Sequence, residues 1–84
     1  MDAREWLAPI IARIRQEMAE QHISAAELSR RIHPASHPSK LARAFRRGYI
    51  TQCELLDIAV VLGGSPKRGR DRMLDRLLGS EEER

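Results

Sequence analysis

The densest chemistry in this chain lies in residues 30–48, which read RRIHPASHPSKLARAFRRG. Six of these residues are Lys or Arg, namely Arg30, Arg31, Lys40, Arg43, Arg46 and Arg47. Two are histidines, and each histidine precedes a proline. Widening the window to residues 30–72 gives ten basic residues against three acidic ones, Glu54, Asp57 and Asp71. Cations clustered without local carboxylates raise the potential over one face, which is what a polyanion-binding surface requires. A solvated charged face has the same composition, so charge alone does not decide between the two.

Other chemistries are poorly supplied. His33, His37 and Cys53 are the natural metal-ligand types near this stretch, but their spacing matches no zinc pattern and a fourth ligand is missing. Neither a nucleophile–base set nor a glycine-rich phosphate loop stands out. Catalysis, a metal and a cofactor are therefore not expected. The single cysteine, Cys53, allows no internal disulfide and suits a reducing cytoplasm; a half-buried position is expected for it. The longest apolar runs, such as IAVVL, are far too short to cross a membrane. Asp2, Arg4, Glu5 and Arg13 break any secretory pattern at the N-terminus. The expectation is a cytoplasmic protein without a membrane partner.

The elements that position the basic stretch follow from hydrophobic period. A chain of 84 residues, 42% apolar and 32% charged, fits one folded helical domain over residues 1–84. Trp6, Ile10, Ile14 and Met18 recur at four-residue intervals, so a first helix covers much of residues 3–21. Asp2 and Glu5 resemble its capping box, and Pro9 either starts or bends it. Ser24 with Glu27 caps a second helix that packs through Leu28 and Ile32 and ends before Pro34. Ser36 is expected to cap a third helix, with His37 and Pro38 in its first turn and Gly48 at its end. On a helical wheel Leu41, Ala44 and Phe45 point inward with Gly48. Lys40, Arg43 and Arg47 form the opposite face, flanked by Ser39 and Arg46. Thr51 and Glu54 cap a fourth helix with a core stripe of Leu55, Ile58, Ala59 and Leu62, widened by Leu56, Val60 and Val61. Gly63-Gly64 closes it. A fifth helix, opened by Ser65-Pro66, is clearest over residues 71–78. The fold class expected is all-α, a compact bundle of about five short helices.

Five short helices with a basic third one suggest a helix-turn-helix over about residues 24–48. The segments ISAAELSRRI and KLARAFRRGYITQCELLDIAVVLGGS resemble the lambda-repressor-like (Cro/C1, XRE-type) regulators over roughly residues 14–65. Leu28, Ile32, Arg47-Gly48 and LLDIAVVLG carry the likeness. The chain departs from the family pattern at Ala25, where glutamine is common, and at Ser29, where alanine is common. The turn lacks the usual glycine, and HPASHP makes it about three residues longer. The resemblance implies a sequence-specific DNA-binding regulator, a repressor, with base-reading positions near His37, Ser39, Lys40 and Arg43. Arg43 is the best single candidate for a base contact, because a guanidinium pairs with guanine O6 and N7. Lys40, Arg46 and Arg47 are expected at phosphates, and Arg30 and Arg31 as solvated surface. The expected partners are double-stranded DNA and a second copy of the chain, docked through Met73, Leu74, Leu77 and Leu78 with help from Trp6 and Leu7. The alternatives are a protein-interaction module, antitoxin-like or inhibitory, and a basic helical surface for RNA.

Overall fold

The computed structural model describes residues 3–64 and 68–79, and it is all-α. Five helices follow one another among the described residues: α1 (Ala3–Glu20), α2 (Ala25–Ile32), α3 (Lys40–Arg47), α4 (Gln52–Gly63) and α5 (Arg68–Leu78). Each helix buries one large aliphatic side chain completely: Ile14, Leu28, Leu41, Ile58 and Leu77. Burying each of these contributes about 1.5–3 kcal/mol. Together with Leu7, Ile10, Phe45, Ile50 and Leu62 they form a single core.

Helix boundaries are set by local chemistry. α1 runs straight through Pro9. The missing amide hydrogen leaves the Glu5 carbonyl without its partner, but Glu5 and Pro9 are both exposed, so water can replace the bond. Ser24 Oγ accepts the Glu27 amide at 3.1 Å. The Glu27 carboxylate turns instead to Arg31 one turn on, 3.0 Å away, so this cap is half a box. At α4 the box is complete. Thr51 Oγ1 accepts the Glu54 amide, and Glu54 Oε1 accepts the Thr51 amide. Gly64 ends α4 in the left-handed region at φ 75°. The Asp2 half of the first cap and the Ser65-Pro66 opening fall outside the described residues.

α1 also finishes the ends of its neighbours. Gln21 Nε2 donates to the Leu62 carbonyl at 2.8 Å, in the last turn of α4. Arg13 Nη1 donates to the Leu77 carbonyl at 3.2 Å, in the last turn of α5. Carbonyls there lack intrahelical donors, and a cation also opposes the negative end of the helix dipole.

Three expectations about exposure are corrected. Met73 and Leu77 lie in the core, because α5 packs against both α4 and α1 and uses the middle of its apolar stripe internally. Of the expected docking face half-buried Leu74 and exposed Leu78 and Trp6 remain accessible, while Leu7 is buried as well. Cys53 is exposed, since the first turn of α4 faces outward at that position. The stripe of α4 is narrower than expected: Leu56 is exposed and Val60 and Val61 are only half-buried.

The α4–α5 contact is close enough for backbones to meet. A Cβ on Gly63 would sit 2.2 Å from the Gly69 carbonyl oxygen. A backbone atom cannot swing aside, so the two helices would have to separate. Gly63→Ala should therefore lower stability by about 1–3 kcal/mol, measured by thermal or urea unfolding. A melting curve unchanged from wild type would contradict this helix contact.

Candidate nucleic-acid interface

The repeated His-Pro step builds two successive turns. The Ser36 amide donates to the His33 carbonyl at 2.9 Å, closing residues 33–36. The Lys40 amide donates to the His37 carbonyl at 3.0 Å, closing residues 37–40. In each turn proline occupies the second position, where its fixed φ is already correct. The expected cap at Ser36, with Pro38 inside the helix, is thus corrected. Pro38 belongs to a turn, and α3 begins at Lys40 with Ser39 as its N-cap.

That cap makes no side-chain bond to the helix. Ser39 is drawn to His37 instead: its amide donates to His37 Nδ1 at 3.1 Å, and its hydroxyl lies 2.8 Å from the same nitrogen. The orphan amide in the first turn of α3 is met from another helix. Ser29 Oγ, fully buried on α2, accepts the Leu41 amide at 3.0 Å. A second link joins the turn to α4, where His33 Nε2 lies 3.6 Å from Glu54 Oε2. At the far end Gly48, at φ 78°, donates its amide to the Ala44 and Phe45 carbonyls.

With Leu41, Ala44 and Phe45 buried, the outward face of α3 carries Lys40, Arg43, Arg46 and Arg47, all exposed. Of the six site residues expected from sequence, His37 and Ser39 are therefore engaged with each other at the helix entry. The four cations form no ion pair among the described residues. Ion pairs among the described residues join Arg31 to Glu27, His33 to Glu54, Arg70 to Asp71 and Arg76 to Glu17; none includes α3. Arg43 also has like charges three residues before it and three and four residues after it. Each such pair costs a helix about 0.2–0.5 kcal/mol. Lys40, in the first turn, sits at the positive end of the helix dipole. Arg46 and Arg47, in the last turn, oppose the negative end of that dipole, so the cost falls on Lys40 and Arg43.

No protein family, curated protein or solved structure matches this chain. What the surface can do follows from its charges. A row of unneutralised cations on a rigid, exposed helix presents forked donors to phosphate oxygens or to base edges. One further cation was invisible from the sequence. Arg15 of α1 places its guanidinium carbon 5.8 Å from the centroid of the Phe45 ring. Residues so far apart in the chain give no local pattern that pairs them.

The cap chemistry separates two serines that look alike in sequence. Ser29→Ala leaves the Leu41 amide buried without an acceptor and should cost about 1–3 kcal/mol. Ser39→Ala removes an exposed bond that does not cap the helix and should stay within about 0.5 kcal/mol. Denaturant unfolding of the two variants side by side checks the order, and equal losses would contradict it.

Proposed function

We propose that this chain is a sequence-specific DNA-binding transcriptional regulator, a repressor, that seats α3 in the major groove. The observation that carries this reading is the set of four exposed cations on α3 that make no ion pair among the described residues, with like-charge repulsion around Arg43 as a cost to the free protein. Duplex phosphates would turn that cost into attraction. The resemblance to lambda-repressor-like regulators supports the same assignment. In it, Arg43 reads a base edge, Lys40 lies near the groove floor, and Arg46 and Arg47 meet phosphates. His37 and Ser39 shape the entry of α3. An acidic protein surface or an RNA would be drawn to the same cations, so selection from a random duplex pool is the deciding experiment. Enrichment of one sequence, bound with steep salt dependence, supports the reading. A pool that stays random overturns it.

Two chains are proposed to act together, since a single short helix reads few base pairs and paired recognition helices sit about 34–36 Å apart. The chain measures 39 × 32 × 21 Å, which is commensurate with that spacing. The exposed large apolar side chains Trp6, Tyr49, Leu56 and Leu78 all line one groove of about 590 Å³, with Leu74 at its wall. This groove, rather than the buried Met73 and Leu77, is the proposed contact between copies.

Arg43 and Arg47 should separate cleanly. Arg43→Ala should relax preference at one base position, at about 1–3 kcal/mol of specific binding. It should also leave the free protein as stable or slightly more so, because repulsion is removed. Arg47→Ala should weaken all duplexes alike and lower the salt slope by about one. Wild-type binding by both variants would exclude α3 as the reading element.

For the pairing, light scattering after gel filtration should give a dimer mass at micromolar concentration or on DNA. A Trp6→Glu, Leu78→Glu variant should give a monomer. A wild-type monomer in both states would refute the paired arrangement.

A further inference from the structure

Arg15 is a cation beside an aromatic ring with no counter-charge among the described residues. It stands on the exposed side of α1, and none of the ion pairs among the described residues includes it. Its guanidinium lies 5.8 Å from the Phe45 ring centroid, inside the roughly 6 Å over which an aromatic face attracts a cation. Phe45 itself is anchored in the core. Arg15 thus rests on a part of α3 that cannot shift without unpacking the domain. It also edges a shallow cleft of about 250 Å³ formed with Ala8, Ile11, Ala12, Phe45 and Gly48.

Successive helical residues turn by about 100°, so Arg46 follows Phe45 around α3 on the way to the outward face of Arg43 and Arg47. Arg15 adds a positive charge on α1 beside the same Phe45 ring. We infer that Arg15 is a further contact to the nucleic-acid backbone, so that the phosphate-binding surface spans α1 as well as α3. This rests on the duplex-binding reading above. A guanidinium held over a ring keeps N–H donors free for phosphate oxygens and loses less freedom on binding. The small side chains of the cleft, Ala8 and Ala12, with Gly48, leave room for the strand to pass close to the backbone of α1 and the end of α3.

The test measures affinity for the duplex selected by wild type between about 50 and 200 mM salt, a roughly fourfold range. Arg15→Gln, Arg15→Lys, Arg47→Gln and Arg72→Gln are compared, with circular dichroism melts confirming the fold of each. Arg72 is exposed on α5 and absent from the ion pairs among the described residues, so it controls for net charge alone. Loss of one phosphate contact lowers the salt slope by about 0.9, which shrinks the loss of affinity across this range by about 3.5-fold. Arg15→Gln should show that change, Arg15→Lys should keep the slope with weaker binding, and Arg72→Gln should keep both. If Arg47→Gln lowers the slope while Arg15→Gln does not, or if Arg15→Gln merely equals Arg72→Gln, the inference fails and the duplex reading stands. If wild type shows no salt-dependent duplex binding, both fall.

Discussion

The basic segment depends on one buried hydroxyl. Ser29 on α2 accepts the Leu41 amide at the start of α3. The first amides of a helix have no acceptor inside it, and one buried unpaired costs more than most surface contacts contribute. The N-cap residue of α3 does not help, because Ser39 is bonded to His37. The acceptor therefore has to come from a neighbouring helix, and it is in place only when α2 and α3 pack with Leu28 and Leu41 in the same core. This bond joins local capping to tertiary orientation. With Leu41 held inward, the helical period sends Lys40, Arg43 and Arg47 outward together.

The same logic recurs at other helix ends. Five short helices in 84 residues mean many unpaired backbone groups close to a small core. Long polar side chains of α1 and the residue that follows it reach the last turns of α5 and α4, through Arg13 and Gln21. Thr51 and Glu54 close the first turn of α4 between themselves, and Glu54 also faces His33 from the turn before α3. These bonds tie ends that apolar packing alone would leave free to slide, and they hold the basic helix against a rigid support.

Charge is distributed in a different spirit on different helices. On α2 and α5, Arg31, Arg70 and Arg76 have carboxylate partners, while Arg30 and Arg72 form no ion pair among the described residues. The arginines of α3 form none either, and they crowd one another along a single face. A surface that opposes its own helix marks a place where folding and function pull apart, since natural sequences are otherwise consistent across levels. Arg15 extends the pattern: its nearest stabilising neighbour is an aromatic ring, which leaves its charge unneutralised.

Much of this was legible in the residues. The apolar period placed five helices, the inward face of α3 and the core stripe of α4, because a four-residue spacing of large side chains has only one way to be buried. Thr51 with Glu54, and Gly48, marked ends whose bonds run over three or four residues. Prolines at positions 34 and 38 marked a break, but whether Pro38 lay inside a helix or in a turn depended on where Ser39 and Leu41 found their partners. That choice was made by Ser29, which is remote in sequence and looks like any serine on a helix. Met73 and Leu77 read as an apolar face in any case; their burial followed from α5 packing between α4 and α1. The sequence by itself determined which side chains share a face, because that is local geometry. Only the tertiary structure decided which faces are covered and which polar groups from distant segments meet, because those outcomes depend on distances between helices that no local period encodes.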